Sequence, residues 1–157
     1  MATPLKTLIA KLNGTSRQAA ERAASLCMAR GNYEVDIEHL FLALLENPRS
    51  DVSRAAQASG IDNAAMQRDL EAEIGKFQTG NSRTPAFSPW LPRLFEQAWL
   101  IASLDSQITR IRSGHLLLAL LTDPALAPLA ERGTRLFARF PVCLLYTSDA
   151  ADDLLTV

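Results

Sequence analysis

Two histidines are the residues of this chain whose type and spacing first suggest chemistry. His39 and His115 are the only histidines among the 157 residues, and each begins a nearly identical stretch, HLFLALLENP and HLLLALLTDP. Equivalent histidines can bind a metal ion or transfer a proton, provided that further ligands or a base accompany both. Glu38 precedes His39, whereas Gly114 precedes His115, so the two copies share no second ligand. We therefore expect both histidines to satisfy local partners at a helix start, and an enzyme acting through them is the least favoured reading.

Other catalytic signatures are absent from the sequence. It contains neither of the phosphate-binding patterns GxxxxGK[ST] and GxGxxG, and neither HExxH nor GxSxG. The two cysteines, Cys27 and Cys143, lack the CxxC spacing of metal ligands, and Cys27 is expected to be a small apolar residue on a helix face. The sequence thus predicts no catalytic residue, no metal and no bound cofactor in this chain.

Composition and charge also limit the partners. The formal net charge is −1, the basic residues are scattered, and apolar and charged residues make up 48% and 21% of the chain. A nucleic-acid or anionic membrane partner would favour a basic stripe, so neither is expected. The N-terminal MATPLKTLIAKLNG lacks the pattern of a secretory signal, and no run of about 18 apolar residues suggests a membrane span. We expect a cytoplasmic protein.

The apolar residues follow a helical period along the whole chain. The first segment places apolar side chains at i, i+3, i+4 and i+7, the spacing of one stripe on a short helix. An alanine-rich helix follows, and then the apolar helix IEHLFLALLE, which ends before Pro48. Because no strand-like alternation bounded by turn residues occurs, we predict an all-α fold of about eight helices.

An internal repeat organises these helices. An offset of 76 positions places His39 on His115, with seven of the ten residues from 39 to 48 identical, and it places Arg17 on Arg93 without a gap. Neither half has enough apolar surface covered to be stable alone, so the two halves are expected to share one core. The sequence predicts a pseudo-twofold bundle of two helical repeats within residues 1–142. The predicted boundaries are about 5–77 for repeat one, 78–89 for a polar linker, and about 90–142 for repeat two.

The repeated EHLFLALL and GHLLLALL carry a resemblance to a known family. Over roughly residues 5–142 the chain resembles the double Clp N-terminal repeat domain that precedes the ATPase rings of Clp-type AAA+ unfoldases. Within that group it is most similar to ClpV, the ATPase of bacterial type VI secretion. The narrower similarity lies in LIAKLNGTSRQAAERAASLCMARGNYEVDIEHL (8–40), and in RTPAFSPWLPRLFEQAWLIASL and IRSGHLLLALLTDP (83–124).

The resemblance implies a substrate-recognition module. ClpV-like proteins use this domain to grip an exposed helix of the large subunit of the contracted sheath, so that the attached motor can dismantle the sheath. The motor domains, which this chain does not contain, would bind ATP and magnesium and assemble a homo-hexamer. This chain itself would be non-catalytic.

The resemblance also indicates where the helix binds. Recognition of a helix in a groove needs an apolar trough that accepts side chains spaced i, i+3, i+4 and i+7. One alternative is that Leu8 and Leu12 only fasten the first helix to the bundle, and another is that Phe87 is a core residue. The candidate peptide-binding residues are Leu5, Leu8, Ile9 and Leu12 on the first helix, and Thr84, Pro85 and Phe87 in the linker.

The last segment, CLLYTSDAADDLLTV at 143–157, resembles the translation of a sequencing-library transposon end and adapter. We expect it not to be native, in which case Cys143, Tyr146 and Asp149 have no function. The absence of a phosphate-binding loop then says nothing about the parent protein.

Two other functions remain open from the sequence. A ClpB- or ClpA-like N-terminal domain would meet aggregates or an adaptor protein, and sheath genes beside this gene would argue against it. A free-standing double-repeat regulator would bind a partner without a motor. The authentic codons after Val142 distinguish this last case, since a phosphate-binding loop indicates a motor and a stop codon indicates a regulator.

Overall fold

The structure is a computed structural model, and it describes residues 4–104 and 107–142. The predictions for 143–157 therefore lie outside the described residues. Within the described part the chain forms eight α-helices, one short 3-10 helix at Arg135–Arg139, and two strands of two residues each, β1 (Glu34–Val35) and β2 (Ala86–Phe87). In chain order the helices are α1 (Leu5–Lys11), α2 (Gly14–Ala29), α3 (Ile37–Glu46), α4 (Asp51–Ala58), α5 (Asn63–Ile74), α6 (Trp90–Ala102), α7 (Ser113–Thr122) and α8 (Ala127–Gly133).

The repeated helices α3 and α7 lie at the centre of the molecule. Both are apolar on nearly every side, and almost all of their residues are buried. A helix that is apolar all round must be enclosed by other elements. In each repeat the long helix provides one cover, since α2 packs against α3 and α6 packs against α7.

The two repeats share a single core. Contacts cross between them where α4 packs against α7 and where α5 packs against α8. One cluster of buried apolar residues includes side chains from both halves. The predicted all-α, pseudo-twofold fold is therefore confirmed.

The repeat does not have the single constant offset that the sequence predicted. On α2 the buried residues Ser16, Ala19, Ala23 and Cys27 lie 75 positions before Leu91, Leu94, Ala98 and Ala102, which are the corresponding buried residues of α6. His39 and His115 are 76 apart, so the second repeat has one extra residue between its long and short helices. Placing Arg17 on Arg93 was wrong by one position, because burial and not residue identity fixes the register of a helix.

Each repeat also contributes to a parallel backbone pairing that the sequence did not predict. Val35 of β1 pairs with Phe87 of β2, and Leu12 forms a parallel bridge with Ile111. Leu12 precedes Phe87 by 75 positions and Val35 precedes Ile111 by 76, so the two pairings are equivalent under the repeat. We call Leu12 with Ile111 the first crossing and Val35 with Phe87 the second crossing. The segment 78–89 therefore holds a strand as well as a polar connection.

Candidate peptide-binding surface

The apolar stripe of α1 is only partly available to a partner. Leu8 and Leu12 are 0% and 1% exposed, whereas Leu5 and Ile9 are half-buried and pack against the core. A helix of seven residues is not stable alone in water, so α1 needs this packing in order to form. Leu8 and Leu12 thus fasten α1 to the bundle, and only Leu5 and Ile9 reach the surface.

The C-terminal end of α1 is held by the second repeat. The helix packs against α6, and the ammonium group of Lys11 lies 4.8 Å from the centre of the Trp99 ring. At the first crossing the Ile111 N–H donates to the carbonyl of Lys11 at 2.7 Å, and the Asn13 N–H donates to the carbonyl of Ile111 at 2.8 Å. The guanidinium of Arg110 donates to the Ala10 carbonyl at 2.8 Å. These contacts fix α1 on repeat two, although it lies at the start of repeat one in the chain.

Phe87 is presented on the surface by the second crossing. The Ser88 N–H donates to the carbonyl of Val35 at 2.9 Å, and the buried Ser88 hydroxyl donates to Asp36 at 2.8 Å. On the other side of Phe87 the Ala86 N–H donates to the carbonyl of Tyr33, so the backbone is held on both sides while the residue stays 38% exposed. Phe87 is therefore not a core residue. Thr84 is exposed and Pro85 is half-buried beside it.

Two further aromatic residues lie next to the second crossing, and the sequence analysis missed both. Tyr33 precedes β1, accepts a backbone bond from the Ala86 N–H at 3.2 Å, and is 45% exposed. Trp90 begins α6 just after β2 and is 36% exposed. Exposed aromatic rings held on a fixed backbone are typical of interfaces. We call the residues Tyr33, Thr84, Pro85, Phe87 and Trp90 the ladder surface.

The two histidines have the structural role that the sequence analysis expected. Each accepts a bond on Nδ1 from the backbone N–H three residues earlier, from Asp36 at 3.0 Å for His39 and from Arg112 at 2.9 Å for His115. Since Nδ1 accepts, Nε2 of His39 carries the hydrogen and donates to Asn32 Oδ1 at 3.1 Å. Burial lowers the pKa of both histidines to about 4, so both are neutral at pH 7.

The described ranges show no grouping suited to a metal or a membrane. Among residues 4–104 and 107–142, no three or more His, Cys, Asp or Glu side chains are placed to hold one metal ion. Within the same residues no single helix is long and apolar enough to cross a membrane, and α7 and α8 reach that length and composition only as a pair bent by 102°.

A buried ion pair joins the repeats where α4 meets α7. Asp51, with its side chain 4% exposed, accepts two bonds of 3.0 Å from the guanidinium of Arg112 and one of 3.3 Å from the Gly114 N–H. The Asp51 N–H donates to the Ser113 hydroxyl at 2.8 Å. Paired bonds of this kind fix orientation as well as distance. They fix the start of α7 against the start of α4.

The equivalent contact, where α3 meets α8, is built differently. Glu38 has a side chain 4% exposed, and its closest cation, Arg132, is 3.9 Å away and 58% exposed. Glu38 Oε2 has no hydrogen-bond partner among the described residues. Burial, followed by the nearby charge of Asp36, raises the pKa of Glu38 to about 7. A substantial fraction of Glu38 is therefore protonated at neutral pH.

Comparison with known proteins agrees with this architecture. A protein-family model described as the Clp repeat (R) N-terminal domain matches residues 11–130. The chaperone ClpB of Yersinia enterocolitica is 35% identical over 123 residues, which cover 78% of this chain and 14% of the relative. The AAA+ ATPase ClpV1 of Pseudomonas aeruginosa is 31% identical over 119 residues, which cover 76% of this chain and 13% of the relative. The chain thus spans about one seventh of the length of these relatives.

A solved structure extends the comparison to a complex. The chain is similar to a ClpV N-domain in complex with a VipB peptide, with a TM-score of 0.82 and 34% sequence identity. The similarity covers 99% of this chain and 94% of the chain in that structure.

Proposed function

Because the chain belongs to the Clp repeat (R) N-terminal domain family, we propose that it is the substrate-recognition domain of a ClpV-like AAA+ unfoldase. Its substrate is an exposed helix of the large subunit of the contracted type VI secretion sheath. The attached motor, which lies outside this chain, hydrolyses ATP with magnesium, acts as a hexamer in the cytoplasm, and disassembles the sheath. This domain supplies the grip and performs no chemistry.

The exposure of Phe87 is the observation that carries the proposal. A half-exposed ring on a backbone bonded at both sides can contact a partner without losing much conformational freedom on binding. Tyr33 and Trp90 add apolar area to the same ladder surface. The similarity to a ClpV N-domain in complex with a VipB peptide supports a peptide guest.

Half of the predicted α1 stripe belongs to the same proposal. Leu5 and Ile9 are half-buried and can still contact a guest, whereas Leu8 and Leu12 contribute by holding α1 in place. We therefore assign direct contact to Leu5, Ile9 and the ladder surface, and support to Leu8 and Leu12.

The test is a calorimetric titration of the 157-residue chain with the VipB peptide, beside a scrambled peptide of the same composition. Saturable binding of the VipB peptide alone is the expected result. Leu5→Ala should weaken binding several-fold, whereas the control Leu104→Ala, which shortens a side chain 83% exposed at the end of α6, should not. Equal binding of both peptides, or no binding of either, would contradict the proposal.

A second candidate is a ClpB-like role in which the domain meets unfolded or aggregated polypeptides. The 35% identity to ClpB of Yersinia enterocolitica favours it. A permanently unfolded polypeptide should then bind at least as tightly as the VipB peptide, and scrambling the VipB peptide should have little effect. The same titration series separates the two functions.

A further inference from the structure

Two guanidinium groups meet at the C-terminal end of α1. Arg110 donates to the carbonyl of Ala10 at 2.8 Å, and Arg17 donates to the same oxygen at 3.4 Å. The first crossing brings the two arginines together, since it pairs Leu12 with Ile111 and α2 begins two residues after Leu12. We call Arg17 and Arg110 the arginine pair.

Capping of the Ala10 carbonyl explains only part of this arrangement. One N–H donor satisfies such a carbonyl, whereas each guanidinium has five N–H donors and a permanent positive charge. Both arginines are exposed, so their remaining donors are open to a partner. Because the two like charges repel each other, a negatively charged group that contacts both would stabilise the pair.

The acidic residues of the chain do not supply that group where the structure describes them. Within residues 4–104 and 107–142, neither member of the arginine pair forms an ion pair. Glu21 lies one turn from Arg17 on α2 and forms no ion pair with it, whereas Arg22 on the same helix meets Glu46 at 3.2 Å. The arginine pair thus differs from Arg22 in having a second cation where Arg22 has a carboxylate.

Two lysines of α1 extend the positive charge. The helix has the sequence LKTLIAK, without an acidic residue. Lys6 is exposed and lies one turn before Ala10 on the same side of α1, and Lys11 directly follows Ala10. The fold therefore gathers four cations at one place on a chain whose formal net charge is −1. The sequence analysis missed this cluster because it found the basic residues scattered along the chain.

The surroundings of the arginine pair favour an acidic polypeptide over other anions. A small anion is typically enclosed by several backbone N–H groups, whereas a carbonyl oxygen lies between these two exposed side chains. Nucleic acid would favour a longer basic track than four residues. A carboxylate matches the planar guanidinium through paired bonds. Since each exposed ion pair contributes little, a partner needs several carboxylates on one segment.

We propose that the arginine pair, with Lys6 beside it, is a docking site for an acidic segment of a protein partner. Neighbouring carboxylates of that segment accept hydrogen bonds from Arg17 and Arg110, while the Ala10 carbonyl holds the two side chains in place. The site goes beyond the proposed function, because it lies at the first crossing and recognises charge, whereas the ladder surface lies at the second crossing and presents aromatic rings.

Titration of the chain with a fluorescently labelled hexaglutamate peptide tests the site, beside hexaglutamine as the uncharged control. Only hexaglutamate should bind, and its affinity should fall several-fold as the salt concentration rises from about 50 mM to about 300 mM. Equal binding of both peptides, or no binding of either, would overturn the inference. Competition by inorganic phosphate at the same molar concentration as hexaglutamate, or tighter binding of a short oligonucleotide, would also overturn it.

Paired substitutions separate the position from the net charge. Changing both Arg17→Gln and Arg110→Gln should weaken hexaglutamate binding about tenfold or more. The matched control changes Arg49→Gln and Arg68→Gln, which are exposed and remove the same charge, and should alter the affinity less than about twofold. Equal losses in the two double variants would show that only net charge matters and would overturn the inference.

A single substitution keeps the test valid if the double variant is unfolded. Arg17→Gln leaves the shorter bond from Arg110 to Ala10 in place, so the variant should unfold at the same denaturant concentration as the unaltered chain. Its affinity for hexaglutamate should fall several-fold. An unchanged affinity in this folded variant would overturn the inference.

Discussion

Leu12 and Phe87 occupy equivalent places in the two repeats and have opposite relations to solvent. Each is the residue of a parallel crossing that precedes a long helix, yet Leu12 is 1% exposed and Phe87 is 38% exposed. The difference arises because α1 packs beside the first crossing, whereas no helix within residues 4–104 and 107–142 takes that place at the second. Where the chain covers the crossing, the apolar residue stabilises the fold. Where it does not, the residue is available for recognition.

The largest expected effect distinguishes these two residues by stability. Leu12→Ala removes a fully buried side chain and should lower the free energy of unfolding by about 2–5 kcal/mol. Phe87→Ala removes a half-exposed ring and should cost less than about 1 kcal/mol. Denaturant unfolding of both variants measures the two values. Equal losses would show that the two crossings are equally covered and would contradict the difference between them.

The starts of α3 and α7 also differ from each other, in how the buried carboxyl group beside each start is paired. The Gly114 N–H donates to the carboxylate of Asp51 at 3.3 Å, and the same carboxylate accepts two bonds of 3.0 Å from Arg112. At the equivalent position of repeat one Glu38 brings its own carboxyl group, and Arg132 is 3.9 Å away. Gly133 of α8 packs closely against Glu38 and Leu70, since a Cβ at position 133 would lie 3.0 Å from Leu70 and 3.8 Å from Glu38. Asp51 is therefore closely paired with Arg112, whereas Glu38 is buried and only weakly paired with Arg132.

Glu38→Gln should sharpen this contrast through its pH dependence. Folding raises the pKa of Glu38 from 4.5 to about 7, so the stability linked to its proton is fully present below pH 4.5 and is lost as the pH rises through 7. Glutamine keeps the uncharged form at every pH. At pH 8 the free energy of unfolding of the variant should therefore be about 1–3 kcal/mol higher than that of the unaltered chain, and at pH 4 the two values should differ little.

The groups that face Glu38 define the control for that experiment. Asp36 and Glu73 also raise its pKa, and Arg132 lowers it. Glu131→Gln changes an exposed carboxylate on the same helix as Arg132 and should give the same difference at both pH values. A constant difference for Glu38→Gln as well would show that folding does not raise the pKa of Glu38.

The histidines test the part of the repeat that is conserved between its two copies. Folding lowers the pKa of His39 and of His115 from 6.5 to about 4, so the stability linked to their neutral forms is present above pH 6.5 and is lost as the pH falls through 4. The ring proton signals of both should stay in place between about pH 7.5 and about pH 5 in NMR spectra. Titration of only one of them in that range would show that the two helix starts are not equivalent.

The sequence predicted the repeated helices well because their information is local. HLFLALL and HLLLALL are apolar on all sides and carry their own start and stop residues, so α3 and α7 could be placed without knowing their neighbours. The histidine roles followed from the same local pattern. The all-α class followed from the helical period of the apolar residues, and the shared core followed from the duplication.

The crossings and the site could not be predicted in the same way. A strand of two residues is too short to show a period, and its pairing joins Val35 to Phe87 across 52 positions. The exposure of Phe87 depends on which element lies beside it, which no local pattern states. The offset of 75 on the long helices was hidden because Arg17 and Arg93 match by identity, although burial aligns different residues. Asn32, which bonds His39 from seven positions away, was missed for the same reason.

The affinity of the Phe87→Ala variant for the VipB peptide tests the central claim most directly, because the claim is that the uncovered crossing is the recognition surface. The measurement is the dissociation constant of the variant beside that of the unaltered chain, with denaturant unfolding showing that both are folded. We predict a loss of at least about tenfold, or about 1.4 kcal/mol, with the fold retained. An unchanged dissociation constant in a folded variant would show that recognition takes place elsewhere and would contradict this account.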